Sequence, residues 1–494
     1  MAGSTMNKQE SRLLAASLGQ KDRFVLQLDI GNLRVTHVVR RLPNRRVVMR
    51  GLIDGREVFI KAFLGKGAER YAMRDMQGAK LFQQANVLTP ALHHHEKSDR
   101  YQAWILVFEA VKQAMSASDY FSAQTQSKRL ILLQQISFTL GQHHQAGLLQ
   151  HDMHPSNFLV QTFSRGIKVY SLDGDGVSYQ RQLGDTQCMH NLATLLCKFD
   201  VLQVNQHISV CLQSYAQARG WNPFSDNQLK EFIGLMRRIR LDMLSQYAGK
   251  KVFRNCTDVS VIKKSSFVMR LSNHFPVNDA NISMSLHHAF SQANFLKEGN
   301  TCTIVRYRLN NIEVVIKRYN IKNFWHAISR GLRSSRAAFS WSNAHRLKLL
   351  GIPTGQPVAL VEKRRLGWQM QAYFIASFVD GVSLRELPTQ ANKLEIKRAA
   401  EALAALFYRL HLIGLSHGDC KSDNFKYDQQ CWWILDLDSM QQHSSEKRAS
   451  QAHIRDLKRL FANWKADDTL YNVMLSAFAK RYGNDPVLRM AGLQ

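Results

Sequence analysis

The segments QHDMHPSNF (150–158) and HGDCKSDNF (417–425) constrain this chain more than any other feature. Each places an Asn five residues after an Asp, and each sits in the same larger order. Upstream, a Lys lies near the end of an apolar strand: Lys61 in VFIKAF and Lys317 in VVIKRY. Downstream, a second apolar strand ends in an Asp: Asp173 in YSLDGDG and Asp436 in ILDLD. The Lys precedes the first Asp by 91 residues in one half and 102 in the other, which leaves room for a helix, several strands and a long helix before the loop. A lone loop of this kind is a weak signal, and a lone strand Lys is more often a snorkelling surface side chain. Four features in one order, twice, with matching strand and helix patterns, specify a fold.

Phosphoryl transfer from ATP needs such a set. A Lys holds the α/β-phosphates, an Asp orients the attacking hydroxyl, and an Asn with a second Asp holds Mg²⁺ against the phosphate charge. The five-residue spacing lets the first Asp and the Asn reach one cleft from one turn. In these roles Asp152 and Asp419 are the candidate catalytic residues, Lys61 and Lys317 the candidate ATP contacts, and Asn157, Asp173, Asn424 and Asp436 the candidate metal ligands.

The surrounding patterns repeat as well. VVMRGLI, Asp54-Gly55 and EVFIKAF read as a hairpin, as do CTIVRYRL, Asn310-Asn311 and IEVVIKRY. Helix-spaced apolar residues occupy 127–147 and 393–415, each just before the Asp–Asn loop. Residues 184–250 read as mostly helical. The expectation is an α+β chain: a flexible tail over 1–20, then two tandem protein-kinase-like bilobal domains over 21–280 and 281–494, each with a β-rich N-lobe and a helical C-lobe. The polar stretch NHFPVNDANISMS reads as the connection.

Composition narrows the setting. The 494 residues are 45% hydrophobic, enough for two cores, and the net charge of +28 calls for an acidic partner. Seven scattered cysteines without a CxxC pair argue against a disulfide framework or a zinc site and for a reducing compartment. No secretory leader pattern and no membrane-length apolar run is present, so a cytoplasmic protein is expected, with peripheral membrane contact open. No nucleic-acid-binding module accompanies the charge, and no nucleic-acid partner is expected.

IKRYN (316–320), SRAAFSWSNAHRLKLLGIPT (335–354), YFIASFVDG (373–381), HGDCKSDNF and ILDLDSM resemble successive motifs of the lipopolysaccharide kinase family, the Kdo and heptose kinases of inner-core assembly. FIKAF, GLLQHDMHPSNFLV and YSLDGDG resemble it in the first half, and the arrangement is similar to tandem members of that family. The resemblance implies an ATP- and Mg²⁺-dependent transfer of the γ-phosphate to a sugar hydroxyl of the lipopolysaccharide core, or of another acidic glycolipid, at the inner face of the inner membrane. It implies the same roles for the eight residues above, with Asp175 and Asp438 assisting. Two rivals stand beside it: a serine/threonine protein kinase, and a pseudokinase scaffold in envelope assembly.

Two departures separate the halves. An active kinase usually pairs its strand Lys with a helix acid. Asp75 is placed for this in the first half, but no Asp or Glu lies between Lys317 and Glu362, where Ser340 or Asn343 offers only a neutral hydrogen bond. The phosphate loop of the second half, KEGNTCT, has one glycine, so Gly299, Asn300 and Thr301 are the candidate phosphate cradle. THVVRRLPNRR in the first half has none. The basic segment 325–339 reads as a helix facing either anionic lipid or solvent, HHH (93–95) as a solvated loop, and His143, His144 and His411 as braces of the loop. Cys420 stands beside Asp419, and Trp432 and Trp433 read as packing.

Overall fold

The computed structural model describes residues 10–291, 294–299, 302–319, 335–365, 368–464 and 467–493. Its first sheet contains β1 (Phe24–Leu28), β2 (Gly31–Leu42), β3 (Arg46–Ile53), β4 (Arg56–Leu64), β5 (Leu92–Ser98) and β6 (Ala103–Glu109), in the order β1-β2-β3-β4-β6-β5. The second contains β7 (Val259–Lys264), β8 (Phe267–Ser272), β9 (Asn294–Lys297), β10 (Cys302–Leu309), β11 (Ile312–Tyr319), β12 (Pro357–Arg365) and β13 (Trp368–Ser377), in the order β7-β8-β12-β13-β11-β10-β9. Five strands share one order in both sheets: β2-β3-β4-β6-β5 matches β9-β10-β11-β13-β12. β1 extends the first sheet at one edge, and the β7–β8 hairpin extends the second at the opposite edge.

The expected hairpins form where the turn residues allow them. Asp54 and Gly55 have φ of 46° and 75°, and Asn310 and Asn311 have 45° and 65°. Two-residue turns with both central residues at positive φ match the twist of the strands they join. β1 buries Phe24, Leu26 and Leu28 and exposes the residues between, the period-two pattern of a one-sided sheet. Leu26, Val47, Met49, Ile60 and Ile105 form the first core, and Leu13 and Ala16 of α1 (Glu10–Ser17) pack into it. That part of the expected N-terminal tail is therefore a docked helix.

Helices follow each sheet. In the first half these include α2 (Ala68–Gln84), α3 (Gln126–Gln145), α4 (Asp185–Leu196) and α5 (Asp226–Gly249). In the second half they include α6 (Arg336–Leu349), α7 (Lys393–Ile413) and α8 (Glu446–Phe461). α7 starts at a capping box made by Asn392 and Glu395 and stops at the left-handed Gly414. That stop sets the entry to the HGD loop.

The chain divides into two compact units, Met1–Met236 and Arg237–Gln494. The expected boundary at 280 lies well inside unit 2. β8 pairs with β12, and the stretch that read as a connection contains a helix, Asp279–His288, capped by the Asn278 side chain at 2.9 Å. Its Ile282 and Leu286 belong to the second core. The triple histidine also departs from expectation: it lies on β5, with His94 Nε2 2.9 Å from Glu96 Oε2. Among the described residues no helix is long and apolar enough to cross a membrane.

Candidate active sites

In unit 2 the hairpin carries Lys317 to the end of β11, and the strand over 432–434 delivers Asp436 opposite it. Lys317 Nζ lies 2.5 Å from Asp436 Oδ1 and 3.1 Å from Asp438 Oδ2. Burial lowers the Lys317 pKa, but Tyr319, Asp436 and Asp438 outweigh it, and the ammonium is held well above its ordinary value. Burial raises the Asp436 carboxyl, Lys317 lowers it, and the net direction is down. Asp436 takes φ 54°, and Asp173, its counterpart in unit 1, takes φ 62°. This region is sparse for a side chain other than Gly, and both units use it to turn the carboxylate out of the strand.

The missing helix acid of unit 2 is replaced by a rearranged charge pattern. Ser340 bonds the Tyr319 hydroxyl at 2.8 Å, and Asn343 donates to the carbonyls of Leu437 and Met440 at 2.8 and 3.0 Å. The second carboxylate on Lys317 comes from Asp438, and α6 contributes a cation, Arg336, 2.7 Å from that same carboxylate. Arg336 is therefore an ion-paired residue of the site. The remainder of the basic segment, 325–334, and the cradle residues Asn300 and Thr301 lie outside the described residues. Gly299 is described, beside the Cys302 carbonyl.

The loop over 417–425 is fixed by its backbone. Asp456 on α8 accepts the N–H groups of His417 at 2.6 Å and Gly418 at 2.9 Å. His417 Nε2 donates to the Leu435 carbonyl at 2.9 Å, and its Nδ1 accepts the Asp419 N–H at 3.2 Å. Asn424 Nδ2 donates to the Asp419 carbonyl at 2.8 Å, leaving Oδ1 for a cation. The Asp419 carboxylate meets Arg459 at 2.7 Å and Lys421 at 3.2 Å. A cavity of about 520 Å³ joins Lys317, Asp419, Asn424 and Asp436 and is walled by Phe374, Phe378 and Leu435.

Unit 1 assembles the same parts with substitutions. Lys61 Nζ lies 2.6 Å from Asp75 Oδ2 and 3.3 Å from Asp173 Oδ1. Burial lowers the Lys61 pKa, but Asp75 and Asp173 outweigh it and the net shift is upward. Asp75 Oδ1 also accepts the Gly174 N–H at 3.1 Å. α2 approaches that turn so closely that a Cβ on Gly78 would collide with the Gly174 carbonyl. Arg46 stands where a glycine-rich turn would otherwise lie, 3.4 Å from Asp173. Gln150 Nε2 donates to the Leu172 carbonyl at 2.7 Å, as His417 does to Leu435. Asn157 donates to the Asp152 carbonyl at 2.8 Å. Asn191 takes the place of Asp456, but it donates to the Gln150 carbonyl instead of accepting two N–H groups. A cavity of about 480 Å³ joins Lys61, Asp75, Asn157 and Asp173, with Phe59 and Phe108 on its walls. Asp152 is exposed and does not line it.

Sequence reasoning missed Asp456, Arg459 and Arg46. Asp456 lies 37 residues after Asp419 and Asn191 lies 39 after Asp152, so no ungapped alignment of the two loops brings them into register. His143 and His144 do brace the fold: burial drives their pKa values to about 3 and about 4, and they bond Ser171, Tyr215 and Asn191. Cys420 is fully buried, and burial pushes its thiol well above the ordinary range. Trp432 is buried with its indole N–H on the Ala399 carbonyl.

Among the described residues no cluster of three His, Cys, Asp or Glu groups suits a metal ion. Magnesium carried on a nucleotide does not need one, since one or two protein oxygens suffice beside phosphate and water. Asn424 Oδ1 with Asp436, and Asn157 Oδ1 with Asp173, fit that donor set.

A strand Lys held by carboxylates, beside an Asp–Asn loop and a turned-out Asp, defines a phosphotransferase of the kinase class. The family model described as Lipopolysaccharide kinase (Kdo/WaaP) matches residues 64–224 and again 288–480, well over half of the chain, and the chain belongs to that family of kinases. No curated protein matches the chain.

Proposed function

We propose that the protein is a tandem, ATP-dependent lipopolysaccharide kinase with two protein-kinase-like bilobal domains, and that unit 2 is its transfer centre. The observation that carries this reading is the clamp of Asp456 on the backbone of His417 and Gly418. It holds the Asp419 loop against the cleft of Lys317 and Asp436, and Asn191 does not reproduce it in unit 1.

Within this reading Lys317 holds the α/β-phosphates, oriented by Asp438. Asp419 aligns the acceptor hydroxyl, and its pairing with Arg459 and Lys421 places two cations where an anionic sugar would approach. Asn424 and Asp436 hold Mg²⁺, which offsets the triphosphate charge when bound. The acceptor is a sugar hydroxyl of the lipopolysaccharide core, Kdo or heptose. Its carboxylates and phosphates suit the charge of +28, and they imply work at the cytoplasmic face of the inner membrane by peripheral contact. In unit 1, Lys61, Asp75 and Asp173 form a nucleotide cavity, while Arg46 on Asp173 and the exposed Asp152 favour a supporting over a catalytic role.

The test is transfer of labelled phosphate from ATP, with magnesium, to core oligosaccharide and separately to general protein acceptors. Label on the sugar supports the reading. Label on protein alone replaces it with a protein kinase, and no transfer to either replaces it with a scaffold.

A further inference from the structure

Unit 2 holds a second cavity, of about 560 Å³, against α6. It shares no lining residue with the cleft of Lys317 and Asp436. Arg346 lines it and is only 9% exposed. The guanidinium donates to Asn343 Oδ1, and its Nε has no partner among the described residues. Among the described residues no carboxylate forms an ion pair with it, and 320–334, the segment before α6, contains no Asp or Glu. Burial draws its pKa down to about 10 with no opposing anion, as expected for a cation left alone in a poorly solvated site. Such a charge is costly to keep unless something pairs with it.

The same cavity holds a matching unfilled acceptor. Gln442 Nε2 donates to the Leu241 carbonyl at 2.7 Å and the Ser245 hydroxyl at 2.9 Å, while its buried Oε1 receives no donor. Ser342 spends its hydroxyl proton on the Ala248 carbonyl at 2.8 Å, which leaves its lone pairs. Arg346 and Gln442 both line this cavity, and a guanidinium without a carboxylate partner together with an unfilled acceptor suits a phosphate group with one proton. Its oxygens accept from Arg346, and its P–OH donates to Gln442.

Arg346 is also wired to the active site. The Asn343 amide that receives Arg346 donates its N–H groups to Leu437 and Met440, the turn that begins at Asp436. We propose that this cavity is a phosphate-binding site centred on Arg346, and that its occupancy tightens the Asp436 turn through Asn343. The binding half stands apart from the functional reading above, and the regulatory half rests on it.

The test titrates inorganic phosphate into the full-length protein by calorimetry, with Lys317→Met included to remove active-site binding. Saturable binding is expected to persist in Lys317→Met and to weaken by at least roughly tenfold in Arg346→Met, which removes the charge-assisted donors. Ser342→Asp supplies an internal carboxylate to Arg346 and should abolish phosphate binding in a folded protein, so the result does not depend on Arg346→Met folding. Amide exchange over 437–440 should slow with phosphate in wild type and not in either cavity variant. Vesicles containing phosphatidic acid, set against phosphatidylcholine alone, distinguish a lipid headgroup from free phosphate: protection by vesicles but not by free phosphate assigns the headgroup. Binding that survives both cavity variants, or that vanishes in Lys317→Met, overturns the site. Binding with exchange slowed by neither free phosphate nor phosphatidic acid vesicles overturns the coupling. Loss of sugar transfer in wild type would sink the functional reading while leaving the calorimetric result intact.

Discussion

Asp438 holds two cations, and burial should decide which of them matters. Arg336 is nearer, at 2.7 Å against 3.1 Å for Lys317. The Arg336 side chain is 43% exposed, however, while those of Lys317 and Asp438 are 9% and 4% exposed. Water and salt screen the first pair, so its coupling should fall below about 1 kcal/mol. The second pair is desolvated on both sides, and removing one partner strands the other. A coupling of roughly 1.5–3 kcal/mol follows, reduced from the full cost of a broken buried pair because Asp436 remains on Lys317. Two double-mutant cycles measure this: Asp438→Asn with Lys317→Met, and Asp438→Asn with Arg336→Met. Native-state amide exchange of β11 and α6 is the suitable probe, because two compact units need not unfold as one transition. An Arg336 coupling equal to or above that of Lys317 would refute the argument that burial outweighs proximity here.

Three further outcomes are expected. His143 and His144 are folded as neutral groups with pKa values depressed to about 3 and about 4 by burial, so their stabilising contribution is complete above the unfolded value of about 6.5 and is lost as pH falls toward 4. Amide protection in α3 should drop over that window, and His143→Gln should flatten the slope; protection equal at pH 7.5 and 4.5 would contradict this. Gly78→Ala gains about 1 kcal/mol of helix propensity but drives a Cβ into the Gly174 backbone, so a net loss of about 1–2 kcal/mol should appear in amide exchange of α2. Cys420 should alkylate at least about tenfold more slowly with iodoacetamide at pH 8 than the half-buried Cys256, by mass spectrometry of the native protein, and equal rates would refute its sequestration.

Much of this architecture was readable before any coordinates, where local chemistry carries the information. Asp54-Gly55 and Asn310-Asn311 mark their turns because few residues accept positive φ, and the α7 limits follow from Asn392, Glu395 and Gly414. The Lys–Asp–Asn–Asp order was legible because each member sits at the end of a patterned element. What stayed hidden was set by tertiary pairing. Nothing in a strand pattern says that β8 joins β12. α6 carries no acid, and the second carboxylate on Lys317 comes from Asp438, far along the chain. The burial of Arg346 is likewise set by tertiary packing, which a helix pattern does not carry.

The central claim is that unit 2 transfers phosphate and unit 1 supports it. The most direct measurement is the rate of labelled phosphate transfer from ATP to core oligosaccharide by wild type, Asp419→Asn and Asp152→Asn, with each variant checked for folding by circular dichroism. The account predicts a fall of about 10²–10⁴-fold for Asp419→Asn, the usual loss on removing an acid–base group. It predicts a change within about threefold for Asp152→Asn, the size expected of a residue that makes no transition-state contact. Full activity in Asp419→Asn, with the loss appearing in Asp152→Asn, would contradict it.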